Sequence, residues 1–335
     1  MVTQVAFSKK FDRHHNSGHP ENASRTSIML KALKQSSFYD EIDFIRPGLI
    51  DEKNVYDVHS REMVERIKEY SRNTCSWLDL DTYVCRKDYE TACLAAGGVL
   101  QLCRNVIQDK ISNGFGLIRP PGHHATSEKS MGFCLLNNAA VAANILADEG
   151  KKIWIFDPDV HHGNGIQDIF YHRDDVLYQS YHLYPHFPGT GKIDDVGEGK
   201  GCGYNINAPL PYGTGETVVE RIIDEIFLPI ASSFNPDIAI ICSGYDGHHT
   251  DRLGGLRLTA NFYGEIIKKV QKVQPKIVCT LEGGYSKKWI GKCFLSQIGE
   301  MAGFTQNFKD ETTEKMDAEK RIDKIKKIQR KYWDI

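Results

Sequence analysis

Five short segments, residues 115–118, 153–156, 176–179, 238–242 and 276–281, are almost unbroken apolar runs. A strand with one face in water alternates polar and apolar residues. A run without alternation predicts a strand covered on both faces, as in a parallel sheet between helices. Residues 89–107, 137–149, 216–232 and 259–273 carry helical patterns between these runs. That succession predicts βαβ units and an α/β fold: a single-domain, three-layer α/β/α architecture with a mostly parallel central sheet. No repeat, low-complexity tract or Pro/Ser-rich linker divides the 335 residues. Residues 1–308 are therefore expected to form one domain. Residues 309–335, rich in Lys, Glu and Asp with Ile322, Ile325 and Ile328 at helical spacing, predict a charged helix packed on it or extending from it.

Charge and cysteine usage narrow the class. Forty-two Lys and Arg against 44 Asp and Glu give a net charge of −2, so no general attraction to nucleic acid or anionic membrane is expected. The nine cysteines, at 75, 85, 93, 103, 134, 202, 242, 279 and 293, include no Cys-x-x-Cys pair. A disulfide framework or thiolate metal site is not expected, and a reducing compartment is. The first residues reach Lys9, Lys10 and Asp12 too soon for a secretory segment, and no apolar run is long enough to span a bilayer. The expectation is a cytoplasmic protein.

The loops that leave these strands are more telling. One run leads into Arg119-Pro120-Pro121-Gly122-His123-His124, a second into Asp157-Pro158-Asp159-Val160-His161-His162-Gly163-Asn164-Gly165. Two others lead into Ser243-Gly244-Tyr245-Asp246 and Glu282-Gly283-Gly284-Tyr285. Ligands of open α/β sheets bind beyond the carboxyl ends of the strands, where such loops converge. In extended chain Asp159 and His161 point the same way, and Asp246 can add a third donor. One imidazole and two carboxylates without a thiolate suit Zn²⁺ or Fe²⁺ with a position left open for water. The prolines before His123 and His124 fix a rigid turn, which suits two imidazoles placed for acid–base work. Asp157 can reach the same edge and orient an imidazole. Gly283-Gly284 frees the loop to bring the Tyr285 phenol to the site, where a donor aimed at a developing oxyanion is worth about 2.7–4 kcal/mol.

Taken in order with Gly132-Phe133-Cys134, Phe187-Pro188-Gly189-Thr190-Gly191 and Leu253-Gly254-Gly255, these segments resemble the zinc-dependent histone deacetylase family, with its arginase–deacetylase fold. The resemblance runs from about His19 to beyond Tyr285. It implies Asp159, His161 and Asp246 as ligands of one Zn²⁺ and His124 as general base and acid. His123 would be its electrostatic neighbour, Asp157 the partner of His123, Asn164 the partner of His124, and Tyr285 the carbonyl-polarising donor. Gly132, Phe133, Phe187 and Leu253 would wall the tunnel for an acyl-lysine, and Asp81 would be a rim carboxylate holding substrate backbone. It further implies a structural K⁺ at Asp157, Asp159, His161, Ser180 and Tyr181, and a second at Phe170, Arg173, Val176 and Tyr204. Two positions depart from the commonest pattern. Pro158 replaces a bulky apolar residue, and Asn164 stands where one branch has Asp, Asn being usual in the class II-like branch.

The expected function is therefore a metal-dependent amidohydrolase that removes acetyl or other acyl groups from lysine side chains of proteins or peptides. Three other readings compete. An acetylpolyamine amidohydrolase would favour an acidic residue at the tunnel mouth where this chain has Leu253. A two-metal ureohydrolase would need further bridging carboxylates. A non-catalytic acyl-lysine binding module would not need the intact His pair and Tyr285.

Overall fold

The computed structural model describes residues 2–72, 74–313 and 319–335. Eight strands form the central sheet: β1 (Thr3–Ala6), β2 (Ile42–Ile45), β3 (Asn113–Gly116), β4 (Ile153–Asp157), β5 (Val176–Leu183), β6 (Asn205–Leu210), β7 (Ile238–Ser243) and β8 (Ile277–Leu281). Their order across the sheet is β2-β1-β3-β8-β7-β4-β5-β6, and every neighbouring pair is parallel. This is the single-domain α/β/α arrangement expected of the apolar runs. It places β3, β8, β7 and β4 side by side in the middle, so their four polar loops leave from adjacent strand ends.

The unbroken runs arise because each face of the sheet has its own core. Strand residues alternate between the two layers. Trp154, Phe156, Ala239 and Ile241 pack with the helices Ser24–Lys34, Phe262–Gln271 and Ile290–Met301. Ile153, Ile155, Ile238 and Ile240 pack with the helices Asp88–Ile107 and Asn138–Asp148. The stretch expected as one helix over 216–232 is interrupted. It runs as Glu216–Ile222 and Leu228–Phe234, joined by a π-helical turn at Ile223–Phe227.

The C-terminal helix Glu319–Gln329 is anchored at several points. Ile322 and Ile325 are buried in the first of the two cores, and Arg321 and Trp333 donate to the carbonyls of Pro209 and Gly203. One expectation fails. Cys75 and Cys85 are joined by a disulfide. A short antiparallel hairpin, Ser76–Trp77 with Tyr83–Val84, lies between the two cysteines and turns the chain back on itself. Spacing alone could not reveal the pair, because it is this turn that makes them neighbours. The other cysteines are free. Among the described residues no helix is long and apolar enough to cross a membrane.

Candidate metal and acid–base site

The loops after β3, β4, β7 and β8 meet around a cavity of about 260 Å³. Asp159 and Asp246 are fully buried, and His161 is nearly so. One donor atom from each lies within 4.8 Å of the others. The chain reaches this arrangement by a bend rather than by strand alternation, since β4 ends at Asp157. Asp159 Oδ1 then accepts the backbone N–H of His161 (2.9 Å) and lies 3.1 Å from its Nδ1. Asp246 Oδ1 accepts the Val160 N–H, and its Oδ2 faces His161 Nδ1 at 3.2 Å.

This trio could hold a cation. Asp246 Oδ2 is buried and receives no hydrogen bond from the described residues, which is costly unless an ion or water satisfies it. A Cβ on Gly244 would fall 1.9 Å from Asp159 Oδ2, and one on Gly283 2.0 Å from Asp246 Oδ2, so both positions are kept bare to let the carboxylates in. Without a metal, the two carboxylates outweigh the effect of burial and raise His161 to about 10, so that a proton balances the charge. The donor set of one imidazole and two carboxylates fits one Zn²⁺ or Fe²⁺.

The two neighbouring histidines are set apart electrically. His123 Nδ1 lies 3.1 Å from Asp157 Oδ2, which also accepts the Tyr178 hydroxyl at 3.1 Å. Burial opposes its charge, but Asp157 and Asp159 prevail and lift it to about 10. His124 Nδ1 lies 2.8 Å from Asn164 Oδ1. Burial, with His123 and His161 adding repulsion, holds its pKa well below the usual value. Asn164 Oδ1 can only accept, which places the proton of neutral His124 on Nδ1 and leaves Nε2 with its lone pair.

Tyr285 lines the same cavity, and burial holds its phenol protonated, its pKa well above the usual 10. Its loop is tied down through Asp251, whose Oδ2 accepts the N–H groups of Tyr285 (2.6 Å) and Ser286 (2.7 Å). Beneath the loop, Arg25 donates to the carbonyls of Gly284 and Glu282. Glu282 itself accepts the N–H groups of Gly122 and His123, and burial raises it to about 7. Phe133 holds a left-handed backbone with φ of 70°, a strained conformation for a bulky residue. Gly132, Phe133, Phe187, Leu253 and Asp81 all line the cavity. Pro121, from the turn before His123, lines it as well, and so do His186 and Arg252, which no sequence motif singled out. His186 stacks on His161 with ring centroids 5.1 Å apart and pairs with the Leu253 carbonyl through Nε2.

The residues assigned to K⁺ by resemblance fall in two places. Asp157 and Ser180 are register partners on β4 and β5, beside Tyr181. In the second set, the Phe170 and Tyr204 carbonyls accept N–H groups from Arg173 and Tyr178.

Another cluster with metal-ligand chemistry, His248, His249 and Asp310, has a different character. Asp310 pairs each of its oxygens with one imidazole Nε2 at 2.9 Å, and also accepts the Ala260 N–H. His248 Nδ1 accepts the Thr250 N–H, so Nε2 carries the proton. The cluster is a satisfied clasp that fastens residue 310 to the loop bearing Asp246.

A family model described as the histone deacetylase domain matches residues 19–301. The chain belongs to the histone deacetylase family. Relatives in this family include a "Probable deacetylase" of Archaeoglobus fulgidus, 35% identical with 99% of each chain covered. Histone deacetylase 5 of Arabidopsis thaliana is 36% identical over 86% of this chain and 47% of its own length, so the chain spans about half of that relative. Among solved structures, the crystal structure of the HDA15 HD domain superposes with a TM-score of 0.92 at 32% identity, covering 99% of this chain and 97% of that one.

Proposed function

We propose that this chain is a metal-dependent lysine deacylase, removing acetyl or longer acyl groups from lysine side chains of peptides or proteins. One observation carries the reading. A neutral imidazole with a free Nε2 and a protonated phenol face the same cavity as a buried trio of cation ligands. Asp159, His161 and Asp246 would hold one Zn²⁺, which when bound polarises an amide carbonyl and acidifies water.

The chain's own residues do the rest. Gly132, Phe133, Phe187 and Leu253 enclose the lysine stem and keep bulk water from the amide. His124 Nε2 takes a proton from the attacking water and returns it to the departing lysine amine. Asn164 fixes the tautomer that makes this possible. His123, held charged by Asp157, keeps the resting His124 neutral by repulsion. The Tyr285 hydroxyl donates to the amide oxygen as negative charge grows on it. Leu253 at the mouth, where a carboxylate would attract a polyamine, favours acyl-lysine over acetylpolyamine.

The test is acetate release from acetyl-lysine peptides, longer acyl-lysine peptides and acetylpolyamines, with metal content measured on the same preparation. Turnover should track metal occupancy, vanish on chelation and return with Zn²⁺. A fully metal-loaded protein that releases no acid from any acyl-lysine peptide refutes the reading.

A further inference from the structure

The cavity mouth holds a charge that the proposed chemistry does not use. Arg252 lines the mouth and is exposed. Among the described residues its side chain enters no hydrogen bond, ion pair or ring contact. Its backbone is nonetheless pinned on both sides. The buried Asp251 accepts the Leu253 N–H at 3.0 Å, and the Leu253 carbonyl is paired with His186 at 2.9 Å. A fixed backbone with a free guanidinium is a recognition group whose partner comes from outside. Asp81 also lines the mouth, and its own turn is held by His19 Nε2 on the Asp81 carbonyl and by Asp79 on the Asp81 N–H. The rim is thus dipolar, with a carboxylate, Asp81, contributed by one loop and a cation, Arg252, by another, and the apolar tunnel walls lining the same cavity.

Resting on the acyl-lysine reading above, we propose that Arg252 is a specificity-determining residue. It selects peptides that carry an acidic residue within two positions of the acyl-lysine and turns away cationic flanks and polyamines. Guanidinium pairs with carboxylate in a two-pronged fork, and two residues of extended substrate span only about 7 Å, within reach of an arginine side chain. Because the pair forms in an exposed mouth, its effect is about two- to five-fold and shrinks with salt.

The experiment compares kcat/KM of the metal-loaded full chain on three acetyl-lysine peptides that differ only in flanking Glu, Gln or Lys, at low and high salt. Binding of the same peptides is measured alongside by fluorescence anisotropy. The wild type should prefer the Glu peptide over the Lys peptide. Arg252→Gln should bring the ratio near one, and Arg252→Glu should invert it. Acetate released equally from all three peptides by the wild type and by R252E overturns this proposal and leaves the deacylase reading intact. Absence of acetate release, with binding still ordered Glu over Lys and reversed by R252E, overturns the deacylase reading and upholds the mouth's selectivity.

Discussion

Replacing Gly283 by Ala tests the metal centre with a single methyl group. The Gly283 N–H donates to Asp159 Oδ2 at 2.8 Å, and its backbone lies outside the left-handed region, so alanine brings no conformational penalty of its own. The added Cβ would stand 2.0 Å from Asp246 Oδ2 and 2.7 Å from Asp159 Oδ2. A tolerable contact needs at least about 3 Å, so the Asp246 carboxylate must retreat by about 1 Å. A misplacement of that size at a reacting centre costs about 10²-fold in rate. At about 1.4 kcal/mol per tenfold, this is roughly 2.8 kcal/mol of lost transition-state stabilisation. Overpacking itself costs about 1–3 kcal/mol, within the roughly 5–15 kcal/mol that holds a protein folded. The variant should therefore fold, by circular dichroism, yet lose metal per chain by elemental analysis and at least about 100-fold in kcat/KM. If G283A keeps both metal content and kcat/KM within threefold of the wild type, the two carboxylates do not grip the catalytic ion and the site has been misread.

Three further outcomes are expected. Tyr285→Phe should lower kcat about 10²–10³-fold while metal content stays at the wild-type level, and unchanged turnover would remove the phenol from the reaction. Glu21→Gln should cost about 3–5 kcal/mol in urea unfolding, because Arg119, fully buried and paired through two nitrogens with Glu21, is left without its countercharge; a loss under 1 kcal/mol contradicts this. His59 is held neutral, its Nδ1 donating to the Thr126 carbonyl and its Nε2 accepting the Asn137 N–H, and burial lowers its pKa from 6.5 to about 4. A lowered imidazole pKa means that the unfolded chain binds the proton first. Its contribution is complete above pH 6.5 and is lost as the pH falls toward 4, about 2 kcal/mol between pH 7 and pH 5. His59→Gln should remove that share of the pH slope, and identical slopes in both proteins would show that His59 titrates normally.

The sequence exposed those parts of the molecule whose cause is local. The runs at 153–156 and 238–242 coincide with β4 and β7 because both faces of those strands meet apolar helices. β6 escaped because Asn205 and Asn207 interrupt its apolar pattern. Both are buried, and their Nδ2 groups donate to Gln167 Oε1, on a partner 38 and 40 residues away that no window reveals. β2 was hidden for the opposite reason, being an edge strand only partly buried. The same division holds at the site. The paired histidines and the Asp-x-Asp-x-His spacing stand out in one dimension. His186 and Arg252 are single residues brought to the cavity by tertiary structure alone. The bareness required at Gly283 is visible only once Asp246 is seen beside it, and Cys75 meets Cys85 only because a hairpin of two-residue strands intervenes.

The clasp at Asp310 bears on how this protein can be cut. The family match stops at residue 301, a natural place to trim an expression fragment. Such a fragment would discard the carboxylate shared by His248 and His249. The same loop carries Asp246 at its start, reaches Ser286 through the Thr250 hydroxyl, and seats Tyr285 through Asp251. Asp310, nine residues past the recognised border, thus braces the loop that carries Asp246 and seats Tyr285, and a shortened protein would hold that loop more loosely.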